Sequence, residues 1–232
     1  MADDCMKTLL RRAAKDRVEV EYLVTLAATR DPSLAPRLRA LKEQHGWTET
    51  GFIPGTTNRH VPLGRWSDYV CAYLESGPGR LVELALSRSE ATRSRVDGLV
   101  PCGFALGVLQ GVKSAGSVRA VVTIGRGLLA DPTLDPGPGE SSALGECVAS
   151  LNLLLSFGQP EGLESEDRDD ARIFLQGLLD RDWAPVHVAT TFLALRSVGD
   201  ASTLAILAAR PPLPEPWAKV PRLASKAIRS RL

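Results

Sequence analysis

The stretch "ALRSVGD", residues 194–200, marks the meeting of two apolar runs within "VHVATTFLALRSVGDASTLAILAAR", residues 186–210. An apolar run that ends in glycine reads as a helix end, with Gly199 at the C′ position. An aspartate directly after it reads as the N-cap of a second helix. The chain thus stops one helix and starts another with almost no connection. The same device recurs as "ALGVLQG" (105–111), as "LLLSFGQ" (153–159) and, more loosely, as "YLESGPG" (73–79). The turn glycines Gly77, Gly111, Gly158 and Gly199 lie 34, 47 and 41 residues apart. Irregular repetition of helical hairpins is the architecture this spacing predicts.

Composition agrees. Aromatic residues make up 5% of the 232 residues, leucine and alanine are abundant, and β-branched residues rarely cluster, which favours helix over sheet. The 16 prolines and 20 glycines then serve as punctuation between helices. Helical patterns run over 3–29, with a break near Lys15-Asp16, and over 32–44, where Leu34, Leu38 and Leu41 form one apolar stripe. Further patterns cover 66–77, 79–91, 93–111 with a break at Pro101, 117–131, 143–158, 166–182, 184–199, 201–210 and 216–232. The expectation is an all-α chain of about eleven or twelve helices, one repeat domain over 1–232, with a long irregular loop at 45–66 and a flexible connection at 132–142.

Residues 194–200 resemble the end of the first helix of a HEAT repeat, with Ala194, Leu195, Val198, Gly199 and Asp200 in the matching places. "TLAILAAR" (203–210) looks like the second helix of that hairpin, and "VPRLASKAIRSRL" (220–232) like part of the next repeat. Arg196 departs from the family pattern, which often has glycine there, as do Thr190, Thr191 and Phe192 where it favours alanine. The resemblance covers roughly 183–232 and implies an α-solenoid of stacked hairpins that bury their inner faces against one another. Arrays of that kind usually present a surface to another macromolecule, an implication of fold alone.

Three groups of residues are candidates for function. The loop 45–66 holds Trp47, Phe52, Arg59, His60 and Trp66, and aromatic and arginine side chains dominate interface energetics. The leading reading of the loop is a cover whose Trp and Phe plug the open edge of the stack. His45 and His60 with Asp68 are the weakest candidate, a metal or hydrolytic centre lacking a third ligand at any recognised spacing. "EGLESEDRDDAR" (161–172) supplies an acidic patch of Glu164, Glu166, Asp167, Asp169 and Asp170, which reads either as helix N-terminal charge or as a docking site for a basic partner. In the last helix Lys219, Arg222, Lys226 and Arg229 recur at spacings of three, four and three, a basic stripe for a phosphate or an acidic partner, or simply a solvated face. His187, mid-helix among apolar neighbours, reads as a packed, hydrogen-bonded histidine, and Trp183 and Trp217 as packing between hairpins.

The net charge of +1 argues against a surface built wholly for nucleic acid. Cys5, Cys71, Cys102 and Cys147 form neither a CxxC nor a Cys/His metal pattern and read as free thiols of a reducing compartment. The N-terminus lacks the order of a signal peptide, and the longest uncharged run, 98–112, is too short to span a bilayer. The expected setting is cytoplasmic, with no membrane partner. No phosphate-loop or G-x-S-x-G motif is present, so neither cofactor nor metal is expected. The leading functional expectation is a non-enzymatic protein-binding α-solenoid, and in a sharper version a bacterial immunity protein or antitoxin that occludes a basic toxin domain. The alternative is a nucleic-acid-binding protein, since one family of small DNA glycosylases is built from HEAT-like repeats at about this length. There Trp66 with Asp68, or Trp183 with Asp182, would supply the ingredients.

Overall fold

Stop signals and apolar stripes act together in a computed structural model, which describes residues 2–13, 19–50, 61–135, 142–156 and 158–232. Among these residues there are twelve α-helices and no strand. They are α1 (Ala2–Ala13), α2 (Val20–Thr29), α3 (Leu34–His45), α4 (Leu63–Ala85), α5 (Arg88–Val96), α6 (Gly103–Gly111), α7 (Ala115–Ala130), α8 (Ala143–Ser156), α9 (Ser165–Leu178), α10 (Pro185–Val198), α11 (Ala201–Ala209) and α12 (Val220–Arg229). The residues group into two compact units, Met1–Val112 and Lys113–Leu232.

In the first unit α1 packs on α2 and α3, α2 on α4 and α6, and α3 on α4, while α4 also meets α5 and α6. The expected stripe of Leu34, Leu38 and Leu41 is buried, together with Leu23, Leu26, Met6 and Leu9. The helices expected at 66–77 and 79–91 are instead one run bent at Gly77, whose φ of 71° is a conformation that favours glycine. That run ends at Ala85, and Ser87 caps α5 by accepting from the Glu90 N–H.

The N-terminal end of α4 carries a buried charge cluster. Arg65, 1% exposed, donates through Nη1 to Asp97 Oδ2 at 2.8 Å and through Nη2 to Glu90 Oε2 at 2.8 Å and Ser94 Oγ at 2.9 Å. The Tyr69 hydroxyl donates to the same Glu90 oxygen at 3.0 Å, and the guanidinium lies 4.8 Å from the centre of the Phe104 ring. Arg65 thereby ties α4 to both ends of α5 and to α6. Cys71 donates weakly to the Ala35 carbonyl, and burial pushes its thiol up to about 11, which makes it unreactive.

In the second unit α7 packs on α8 and α9, α8 and α9 on α10, and α10 and α11 on α12. The sequence neighbours α7–α8, α9–α10 and α11–α12 thus pair, and α7–α9, α8–α10 and α10–α12 also meet. The end of the segment expected as a flexible connection is anchored. Asp135 accepts from the backbone N–H groups of Ala143 and Leu144 at 3.2 and 3.0 Å, which satisfies donors at the start of α8 that have no partner within the helix. Residues 136–141 lie outside the described residues.

The stop and restart at 194–200 forms with one correction. Asp200 caps α11 by accepting from the Thr203 N–H at 3.0 Å, while the Thr203 hydroxyl accepts from the Asp200 N–H at 3.1 Å. Gly199, however, is not left-handed, having φ −65° and ψ 153°. Close approach is what demands glycine, because a Cβ there would meet Ile228 Cδ1 and the Leu195 carbonyl oxygen, each at 2.7 Å. Arg231 closes the end of α10 by donating to the carbonyls of Arg196 and Gly199.

Burial alone would raise the Asp200 pKa. Hydrogen bonds from Ser202 and Thr203, together with the Arg172 guanidinium 2.8 Å away, bring it down to about 2. Because the folded value lies below the unfolded one of about 3.9, the cap stabilises fully above that pH and is lost as pH falls toward 2. Asp200→Ala is therefore expected to cost about 1–2 kcal/mol at neutral pH. Urea denaturation of both proteins at neutral and acid pH checks this: the difference shrinks as the wild-type carboxylate protonates, and a pH-independent difference would refute the assignment.

Candidate functional site

The three groups singled out in the sequence meet different fates. Phe52, Arg59 and His60 fall in 51–60, outside the described residues. His45 is the last residue of α3, and Trp47 follows, half-buried, with its N–H donating to the Lys42 carbonyl. The next residue, Thr48, accepts from the Gly64 N–H at 2.8 Å, which pins the base of this segment to the start of α4. Trp66 is not in a loop but in the first turn of α4. Its ring lies edge-on to Phe104, 5.1 Å between centres, and fills the space that the missing side chain of Gly107 leaves open. That contact gives Trp66 a packing role. Asp68 is held by Lys42 at 2.8 Å, and among the described residues no group of histidine, cysteine, aspartate and glutamate is arranged to hold a metal ion.

The acidic patch is largely neutralised within the second unit. Asp167, 8% exposed, receives Arg119 at 2.8 Å and caps α9 by accepting from the Glu164 N–H at 3.2 Å. Burial opposes ionisation there, but Arg119 and that amide hold its carboxyl below the usual range. Asp170 is bound by Arg126 at 2.5 Å and Asp169 by Arg172 at 2.9 Å. Glu164 and Glu166 stand exposed. The carboxylates that looked like a docking surface are therefore mostly bound to arginines of α7 and of α9 itself.

The basic stripe is the opposite case. Lys219, Arg222, Lys226 and Arg229 are all exposed, and among the described residues none forms an ion pair. Ala224 and Ile228 on the other side of α12 are buried. Leu223, beside the stripe, is 55% exposed.

A fourth location was not legible as a site. A cavity of about 580 Å³ opens at the start of α10. Its walls are Gly145, Glu146 and Ala149 of α8, the first turns of α10 with His187 and Thr190, and Pro214, Glu215 and Trp217 of the segment before α12. The volume lies in the range of small-ligand and side-chain pockets. His187 is seated here because Gly145 has no side chain: a Cβ at Gly145 would collide with the imidazole. Trp183 lies edge-on to His187 at 5.3 Å between ring centres. The Thr190 hydroxyl donates to the Val186 carbonyl, which leaves its oxygen free to accept. Glu146 is half-buried and Glu215 exposed, and among the described residues neither makes an ion pair. His187 is buried, as its place among apolar neighbours suggests, but the sequence gives no sign that it and Trp217 share a cavity with two glutamates. The only local signal is the proline-rich "PPLPEPW" (211–217), which holds Glu215 and Trp217 off the helical path.

No known protein family, curated protein or solved structure matches this chain. Among the described residues no helix is long and apolar enough to cross a membrane.

Proposed function

We propose that this protein is a non-enzymatic binding scaffold of HEAT-like helical hairpins that recognises another protein, in the manner of a bacterial immunity protein or antitoxin that occludes a toxin. The observation that carries the reading is the packing order within Lys113–Leu232. Each of the pairs α7–α8, α9–α10 and α11–α12 makes contact, and α7–α9, α8–α10 and α10–α12 make contact across successive pairs. That order is what stacked hairpins produce, and each unit buries a face it could not bury alone. The resemblance of 194–200 to a HEAT turn, with Asp200 capping α11, supports the same reading.

The partner's chemistry differs from the sequence expectation in one respect. A basic partner docking on the α9 patch would have to compete with Arg119, Arg126 and Arg172. Recognition of a basic partner falls instead to the unpaired carboxylates of the α10 cavity. Affinity capture from the native lysate on the full chain tests the proposal. A single stoichiometric protein retained after nuclease treatment and a high-salt wash supports it. Recovery of nucleic acid alone overturns it.

A second reading rests on the unpaired stripe of α12. A helix advances 1.5 Å per residue, so Lys219 to Arg229 spans roughly 15 Å, enough to face several consecutive phosphates. If nucleic acid is the partner, log K against log salt has a slope of about −3 to −4 with four phosphates neutralised. Arg222→Gln with Lys226→Gln then makes that slope shallower by about 2. A slope that the double substitution does not change removes α12 from the reading.

A further inference from the structure

We propose that the cavity at the start of α10 is the anchor pocket for an arginine side chain presented by the protein partner. This rests on the protein-binding reading above and names the chemistry by which the partner is held. Three observations carry it. First, the charges on the walls are one-sided: Glu146 and Glu215 line the cavity, no lysine or arginine does, and neither carboxylate has an ion-pair partner among the described residues. Second, the remaining walls suit a planar cation on an aliphatic stem. Trp217 contributes an indole, Ala149, Pro185 and Pro214 contribute apolar surface, and the Thr190 oxygen is able to accept a hydrogen bond. Third, the volume of about 580 Å³ exceeds what one side chain needs, so the guanidinium enters with its flanking backbone.

Arginine fits better than lysine. Its flat guanidinium can stack on an aromatic face while its five N–H donors serve more than one acceptor in a fixed planar fork, which a compact ammonium does not offer. An anion fits poorly, although the cavity lies at a helix N-terminus. Pro185 has no N–H to offer, and the N–H groups of His187 and Val188 are already given to the Ala184 carbonyl at 2.9 and 3.3 Å. Only the Val186 amide is left in the first turn, in a cavity that two glutamates also line.

The partner and the pocket can be tested apart. The full chain is titrated with Nα-acetyl-arginine amide while the Trp217 indole and His187 ring resonances are followed, with Nα-acetyl-citrulline amide as the neutral isostere. Saturable shifts of both rings with arginine are expected, with citrulline at least tenfold weaker. Glu215→Gln, a change at an exposed residue, and Glu146→Gln are each expected to weaken arginine binding about tenfold with the thermal midpoint unchanged. Equal binding of citrulline, preferential binding of Nα-acetyl-glutamate amide, or no saturable shift overturns the proposal. If a captured partner protein binds the Glu146→Gln, Glu215→Gln double variant as tightly as wild type, the pocket assignment fails while the scaffold reading stands. If arginine binds and no partner protein is captured, the scaffold reading fails while the pocket stands.

Discussion

Replacing Arg65 with alanine is expected to destabilise the unit Met1–Val112 by about 3–5 kcal/mol, the cost typical of breaking a buried ion pair from one side. The size follows from what is left behind. Asp97 is 8% exposed and Glu90 is partly buried, and both lose the cation that compensates their desolvation. Ser94 and the Phe104 ring lose a contact as well. The charge itself is not what the fold requires. Arg65→Met combined with Asp97→Asn and Glu90→Gln is expected to recover much of the loss, because no unpaired charge remains buried. Acid dependence gives a second readout. Burial works against ionisation of Glu90, but the bonds from Arg65 and Tyr69 win, and its pKa lies below the ordinary value. A depressed carboxylate contributes stability above its unfolded pKa and loses it as pH falls through the folded one. Arg65→Ala should flatten that acid limb. Guanidinium denaturation of the variants at neutral and acid pH checks both statements. A loss below about 1 kcal/mol would show that water replaces the guanidinium without penalty.

The second large effect is expected at Gly199. Alanine there should cost about 1–3 kcal/mol, the range for overpacking a filled core. The residue's backbone angles would tolerate any side chain, so the cost comes from crowding against Ile228 and the Leu195 carbonyl. Ile228→Val removes the Cδ1 in the way but not the carbonyl. The pair Gly199→Ala with Ile228→Val is therefore expected to lose less than the sum of the two single changes, though more than Ile228→Val alone. Thermal unfolding of the four proteins measures the coupling. Simple additivity would show that the turn, and not the approach of α12, needs the glycine.

These two positions also show how far the sequence could be read. The stop and restart at 194–200 was visible because capping is local: Asp200 and Thr203 are three residues apart. The leucine stripe of α3 was visible for the same reason, since helical periodicity sets it. Gly199 reads in the sequence as a helix-end glycine, whereas what crowds it is Ile228, which approaches from another helix. Arg65 escaped notice altogether. Its partners lie 25, 29 and 32 residues away, and no pattern within one helix connects them. The α9 carboxylates looked like a free patch because Arg119 and Arg126, 48 and 44 residues distant, were not known to face them. The cavity was hidden in the same way, with Glu146 on α8 and Glu215 beyond α11. The basic stripe of α12 is legible because one helix and its N-cap residue Lys219 carry all four cations, and the structure leaves them exposed.

The occlusion claim is tested most directly by assaying the captured partner's own activity while the full chain is titrated in. The account predicts that activity falls to a residual level at one equivalent, and that the Glu146→Gln, Glu215→Gln double variant needs a large excess to do the same. Full partner activity at saturating chain, with the complex formed, would contradict it.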